Sequence, residues 1–290
     1  MDQFITLTVN GLANGAILAL AALGFVIIYK ATGVINFAQG QLLLVGAYLV
    51  FAGVETFGWP WPAAVLFAMI AGAALGVAVE RLVLRPLVGE EPVAVIMVTI
   101  GLAAFLQAVV QFIWGTMPQR FPSFIPKGTI QLAGVTVPVD RLVAMAVAAI
   151  VLTGFSVFFR YSRSGIAMRA VADDQQAALA MGISVRRVFA ISWALAAVSA
   201  VIGGALVANL IGVSSDLALF GLAVFPVVII GGLDSVPGTI VGGLLIGLLI
   251  SYTAGYVGLG LQTVVPFVVI ALVLMGRPYG LFGQARIERV

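Results

Sequence analysis

The sequence predicts an all-α, polytopic transmembrane bundle with eight or nine spanning segments, and three observations predict it. Charged residues make up only 9% of the 290 positions and hydrophobic ones 62%, whereas a soluble domain carries about 25% charged residues. So few charges cannot cover a water-facing surface, which leaves lipid as the main solvent. Apolar runs near the roughly 20 residues that a spanning helix needs recur along the whole chain. Those runs are continuous and rich in Ala, Leu, Val and Gly, whereas barrel strands would alternate polar and apolar over about 10 residues.

The first span is predicted at 4–29. Met1-Asp2-Gln3 before it carries no basic region and no cleavage site follows it, so the run reads as a retained helix rather than a signal peptide. Further spans are predicted at 38–54, 61–79, 93–114, 140–159 and 188–211. The connection between the second and third puts Trp59 and Trp61 where amphipathic rings settle at a membrane interface. In the loop from Gly115 to Asp140, the stretch TIQLAGVTV alternates around a Gly turn, as a small hairpin would. The last spans are 219–232, 238–255 and 263–276. The first two of these read equally well as one long, broken helix, which is why the count is eight or nine. No linker or low-complexity tract divides the chain, so residues 1–290 are read as a single domain.

Basic residues set the orientation. With the loop from Arg160 to Arg187 inside and the spans alternating, Lys30, Arg81, Arg85, Arg160, Arg163, Arg169, Arg186, Arg187, Arg277, Arg286 and Arg289 fall inside, and Arg120, Lys127 and Arg141 outside. That asymmetry is a positive-inside pattern. It predicts an outside N-terminus and a cytoplasmic C-terminus.

Cys and His are both absent. This excludes disulfides, thiol chemistry, the usual zinc and haem sites and every triad that needs a histidine. No catalytic residue and no metal ligand are expected. The sequence also has no P-loop and no Gly-rich nucleotide fingerprint, so no cofactor is expected in this chain. If ATP powers the protein, another chain binds it.

The loop from Arg160 to Arg187 holds seven of the 25 charged residues. Asp173 is a plausible N-cap, with Gln176 three residues on at the capping-box spacing. Gly182 fits the position past a helix end, where positive φ is needed. Between them a helix of about eight residues is predicted, with Ala177, Ala178 and Met181 on one side. So short a helix is marginal in water and needs a docking surface. Ser184 is expected to cap the following span.

Three other features stand out. Asn36, Gln39 and Gln41 lie at the start of a span, where buried amides need partners. They either glue helices together or face a substrate path. Gly231 and Gly232 open a segment, Ile230 to Thr239, in which Gly and Pro interrupt an apolar run. That segment reads as a backbone break along a pathway or as a tight turn at the inner surface with Asp234 solvated. Asp216 and Asp234 sit beside turn-like sequences and read as turn residues. The pairs Gly11/Gly15, Gly72/Gly76 and Gly243/Gly247 have the four-residue spacing of close helix packing.

The segment QAALAMG, Gln176 to Gly182, resembles the EAA motif of bacterial ABC-importer permeases: Ala177, Ala178 and Gly182 match, and Gln176 replaces the Glu. The Pro-ending tail of that motif is missing. The block from Asn10 to Tyr48, with Ile35-Asn36-Phe37-Ala38-Gln39-Gly40 at its centre, is similar to the LivH-type permeases of branched-chain amino acid transporters. So is the stretch after Gly182, and similar permeases also carry a GG…PG stretch where Gly231 to Gly238 lie. The resemblance implies a permease subunit in the bacterial inner membrane. It implies a LivM-like second permease, two ATP-binding cassette subunits that carry the ATP and magnesium, and a periplasmic substrate-binding protein; no nucleic acid is a partner. The implied cargo is a branched-chain or other small apolar amino acid, with urea, short amides and similar solutes as the alternative within the family.

The resemblance makes 160–187 the coupling loop. Asp173, Asp174, Gln176, Ala177, Ala178 and Gly182 are its expected coupling residues, and Arg169, Arg186 and Arg187 are expected to pair with acids on the ATP-binding subunit or with phospholipid. Asn36, Gln39, Gln41, Gly231 and Gly232 are the expected pathway residues. The rival class is a stand-alone carrier or channel, which would need ion-coupling groups that the sequence scarcely offers. An intramembrane hydrolase would need a nucleophile and base, and none is evident.

Overall fold

A computed structural model describes residues 2–87, 90–125, 128–132, 135–258 and 260–283. Eleven α-helices account for most of these: α1 (Asp2–Thr32), α2 (Gln39–Phe51), α3 (Trp61–Val79), α4 (Pro92–Trp114), α5 (Val139–Tyr161), α6 (Arg163–Asp173), α7 (Gln175–Ala180), α8 (Val185–Ile211), α9 (Phe220–Gly231), α10 (Val236–Tyr252) and α11 (Val265–Gly276). Five-residue π-helical turns follow α2, α3 and α10, and a 3-10 turn, Ser215–Leu219, precedes α9. The predicted hairpin is present: β1 (Thr129–Leu132) pairs antiparallel with β2 (Val135–Pro138), Thr129 facing Pro138. Its turn lies outside the described residues, as do Lys127, Arg286 and Arg289.

Six of the described helical stretches are long and apolar enough to cross a membrane: Gln3–Thr32, Trp61–Leu87, Val93–Trp114, Val139–Tyr161, Val185–Ile211 and Val236–Val257. The segments around α9 and α11 are shorter. α2 has 13 residues, about 20 Å, and runs without a gap into its π turn, Ala52–Thr56.

α1 is the hub. Its middle, Ala19 to Ala22, is fully enclosed, and it packs on α10, α8, α5 and α9. Small residues make this possible. A Cβ on Gly15 would lie 2.6 Å from the Gly243 carbonyl oxygen, and one on Gly11 would lie 2.9 Å from the Leu248 Cα. Two of the predicted glycine pairs therefore face each other across one antiparallel contact. The third pair presses α3 onto α8: Gly72 meets the Val201 side chain and Gly76 meets the Trp193 carbonyl. In lipid, where apolar side chains gain little from leaving the solvent, such close backbone approach supplies packing that bulkier residues would prevent.

The open alternative over 219–255 resolves as two helices. α9 and α10 form a tight antiparallel hairpin in which Gly231 abuts the Gly238 backbone and Gly242 the Val227 carbonyl. Gly232 turns the chain with φ +104°, and the Ser235 Oγ accepts from the Gly238 N–H at 3.0 Å to cap α10.

Of the two readings of Gly231–Thr239, the tight turn is the one present, and a helix start inside the bundle lies elsewhere. α9 begins not at the end of a span but against the start of α2: a Cβ on Gly40 would lie 3.1 Å from the Gly221 Cα. That junction sits well inside the bundle. The Gln39 side chain reaches the Ala21 carbonyl of α1 and borders Gly24 and Ser199, the latter midway along α8. Two helices thus start from a common interior point, α2 running towards Trp114 and α9 towards the hairpin turn. The segments leading to them, 33–38 and 212–219, are irregular or 3-10.

Candidate functional site

The basic residues collect at one end of the bundle. Arg81, Arg85, Arg186 and Arg187 line a single open concavity of about 460 Å³ with Ser184 at its edge. Lys30 Nζ donates to the Asp234 carbonyl at 3.1 Å, at the tip of the α9–α10 hairpin. At the opposite end Arg141 donates to Asn14 Oδ1 at 3.1 Å.

From the basic end projects the segment 162–184. Ser162 caps α6, its Oγ accepting from the Gly165 N–H at 2.9 Å. α6 buries Gly165, Met168 and Val171 and packs on α5, α1 and α8. Sequence reading missed α6 as a helix because its mean polarity resembles a loop; the spacing of Gly165, Met168 and Val171 by threes was the available signal. Arg169 folds back to donate to the Phe159 and Arg160 carbonyls. Its guanidinium closes the carbonyl end of α5, where a cation is favoured. Its chemistry is therefore spent largely within the chain, while Arg186 and Arg187 are exposed.

The short helix is present but differs in detail. α7 has six residues, not eight, and its N-cap is Asp174 rather than Asp173. Asp174 Oδ1 accepts from the Gln176 N–H at 2.8 Å and the Ala177 N–H at 2.9 Å. Asp173 is the last residue of α6. The two acids are adjacent, and α6 extends to Asp173, so only Asp174 has the extended backbone a cap requires. The C-terminal end is as expected. Gly182 has φ +80°, its N–H donates to the Leu179 carbonyl at 2.9 Å, and the Ile183 N–H donates to the Ala178 carbonyl at 2.9 Å. These paired bonds are the Schellman arrangement. Ser184 caps α8 through the Arg187 N–H at 3.4 Å.

The faces of α7 are divided otherwise than predicted. Ala178 is turned inward and only 4% exposed, while Ala177 and Met181 face outward. Leu179 is 58% exposed and Met181 82%. Sequence reading did not single out Leu179. Two large apolar side chains thus stand exposed on a capped, polar-flanked turn.

The expected pathway residues do not form one cluster. Asn36 and Gln39 are buried at the α2/α9 junction. Asn36 Oδ1 accepts from the Ala38 N–H at 3.0 Å, its Nδ2 lies 3.5 Å from Gln39 Oε1, and Gln39 Nε2 lies 3.5 Å from the Ala21 oxygen. Buried Thr99 joins them, donating to the Ile96 carbonyl at 2.8 Å and accepting weakly from the Phe37 N–H. These long bonds hold α1, α2 and α4 together at the break. Gln41 is half-buried beside them. Gly231 and Gly232 lie ten residues along α9, about 15 Å away. There the Ile230 and Gly231 carbonyls accept from the Leu281 and Phe282 N–H groups, so this pair serves the turn at the basic end. Asp216 is exposed and Asp234 half-buried in that turn, as turn residues should be. Among the described residues no group of three or more acids could hold a metal ion.

One ion pair escaped sequence reading. Glu80, with its side chain 3% exposed, is bonded by Arg85 through two parallel contacts of 3.2 and 2.9 Å. Five residues separate the two, a spacing that puts side chains on different faces of an α-helix, so no pair was evident.

A family model described as the permease component of branched-chain amino acid transport systems matches residues 7–274. The chain is 30% identical to the high-affinity branched-chain amino acid transport permease LivH of Escherichia coli strain K12, over 99% of this chain and 98% of that one. It is 30% identical with the same coverage to BraD of Pseudomonas aeruginosa, and 26% identical to a probable LivH of Methanocaldococcus jannaschii over 92% and 89%. A solved structure of PsaBC from Streptococcus pneumoniae with a Fab aligns with 91% of this chain at 14% identity and a TM-score of 0.46, too low to establish a shared fold. With a family model spanning nearly its whole length, the chain belongs to the permease components of branched-chain amino acid transport systems.

Proposed function

We propose that this chain is one permease subunit of a bacterial inner-membrane ABC importer for branched-chain or other small apolar amino acids. It pairs with a LivM-like second permease. Two ATP-binding cassette subunits, which carry the ATP and magnesium, dock on its basic end, and a periplasmic binding protein delivers the cargo. Nine crossings, three of them made by the shorter helices α2, α9 and α11 with the segments that flank them, put the N-terminus outside and the C-terminus in the cytoplasm, and the whole chain forms one permease domain.

The observation that carries this reading is α7. It is capped at both ends, seated by Ala178 and presents Leu179 and Met181 outward from the basic end. A helix of this length has no reason to persist alone in water; it is suited to a cleft in the ATP-binding subunit. Asp173, Gln176 and Ala177 border the patch, and Asp174 and Gly182 hold its shape. Arg186 and Arg187 flank it and meet acids of the ATP-binding subunit. ATP closes the cassettes, and their motion passes through α7 and α6 to α5, α1 and α8. Substrate and nucleotide must favour different conformations for this to drive transport. The α2/α9 junction, with Asn36, Gln39 and Gln41, supports a pathway or hinge role, because discontinuous helices at mid-depth mark transport paths.

The test is ATP-dependent uptake of L-leucine by the complete reconstituted system, with and without the cassette subunits. Uptake by this chain without them, driven by an ion gradient, would refute the assignment.

A further inference from the structure

At the basic end a second, more enclosed cavity of about 360 Å³ opens between the end of α1, the π turn after α3, the start of α4, and α8. Its size lies at the small end of ligand pockets. Three features single it out.

The first is the ion pair. The π turn Glu80–Leu84 closes with the Arg85 N–H on the Glu80 carbonyl. Its wider winding brings residues five apart onto one face, where an α-helix would set them about 140° apart. Glu80 and Arg85 both line the cavity as a result. Glu80 is enclosed, its side chain 3% exposed, whereas Arg85 is 36% exposed and reaches from the cavity towards the open concavity; a carboxylate buried this far needs a partner, and the cavity brings a ligand within reach of both. The pair also retains capacity: a carboxylate has about four acceptor positions and a guanidinium five donors, and two contacts consume two of each.

The second is its aromatic lining: Phe189 and Trp193 of α8 and Tyr29 of α1 share the cavity with the pair. The cavity is thus lined by two carboxylates, Glu80 and Glu90, by one guanidinium and by three aromatic side chains. The third is its rim, which includes Gln175, the first residue of α7.

We infer that this cavity is a binding site, open to the basic end, for a small zwitterion with an apolar tail, that is, a free apolar amino acid. Its ammonium group sits on Glu80, its carboxylate on Arg85, and its side chain against Phe189 and Trp193. Because Gln175 forms the rim, an occupant touches the origin of the coupling helix, and the site reports the amino acid on the ATPase side to the ATPase. The placement of the site on the ATPase side rests on the proposed topology, whereas the ligand class follows from the lining alone.

The experiment is equilibrium binding of radiolabelled L-leucine to the permease–ATPase complex in nanodiscs without the binding protein, where both faces are accessible. Saturable binding is expected. It should be about tenfold or more weaker for isoamylamine and 4-methylvalerate, each lacking one charged group. Glu80→Gln should abolish it, as should the charge-free pair Glu80→Gln with Arg85→Gln, which leaves no unpaired guanidinium. Co-purification of the ATPase serves as the folding check. Saturable leucine should also change ATPase rate in the wild type and not in Glu80→Gln. Leucine binding that is absent, or that persists undiminished in correctly assembled Glu80→Gln, overturns the proposal. So does quenching of Trp193 by brominated lipid in a variant lacking the other three Trp, since an acyl chain would then fill the cavity. Leucine uptake by the complete system is read separately, so the pocket and the transport assignment can fail independently.

Discussion

Gly40 at the start of α2 and Gly221 at the start of α9 touch backbone to backbone, with no room for a side chain on either. Two helices that start inside the bundle are joined there, and the segments that feed them leave regular helix. Irregular backbone at membrane depth is tolerated only where protein or a water-filled path satisfies it. Here Asn36, Gln39 and Thr99 do part of that work.

Gly221→Ala should therefore destabilise the protein by about 1–3 kcal/mol, the usual penalty for overpacking. Gly101→Ala is the control, since a Cβ there meets nothing within 4 Å. Thermal unfolding of the purified complex checks both. A clear fall in Tm is expected for the first and no fall for the second.

The α1–α10 contact makes a second prediction. Gly15→Leu must displace the Gly243 and Leu244 backbone, at about 1–3 kcal/mol or more because backbone cannot yield as a side chain can. Loss of folded protein on size-exclusion chromatography is the expected result, whereas Gly154→Leu, in open space on α5, should express normally.

The identity of the α7 cap is testable because two aspartates are adjacent. Asp174→Ala removes both cap bonds and should cost about 1 kcal/mol. Hydrogen exchange over 175–182 should then speed up about fivefold. Asp173→Ala should leave that exchange unchanged. The reverse result would restore the capping-box reading of the sequence.

At the other end of α7, Gly182 holds φ +80°. Gly182→Ala should weaken the turn by about 1 kcal/mol and Gly182→Asn by less, because Asn tolerates left-handed backbone. Affinity for the ATP-binding subunits, measured by biolayer interferometry, should fall in the same order.

Much of this architecture was legible in the chain. Continuous apolar runs located the helices, the glycine pairs located their contacts, and Gly182 ended α7 where its conformational freedom implied. What was not legible has physical reasons. Asp173 and Asp174 differ by one position, and only the length of α6 decides which is free to cap. Gly231 and Gly232 leave two readings open, a break or a tight turn, and only the packing of α9 on α10 selects the turn; the stretch before α9 reads as a turn from Gly212 and Asp216, but nothing local places it against the start of α2. The pairing of Glu80 with Arg85 depends on a π turn, and helical periodicity assumes there is none. The inward turn of Ala178 depends on how α6 seats α7, a tertiary fact that no local pattern contains.

The most direct measurement of the central claim targets the outer face of α7. Leu179→Asp with Met181→Asp leaves both caps and the buried Ala178 in place while charging the exposed patch. In proteoliposomes containing both permeases, the cassette subunits and the binding protein, this variant should lose ATP-dependent leucine uptake and fail to retain the cassette subunits, with its helical circular dichroism unchanged. Undiminished uptake with the cassette subunits fully retained would contradict the assignment of α7 as the coupling element.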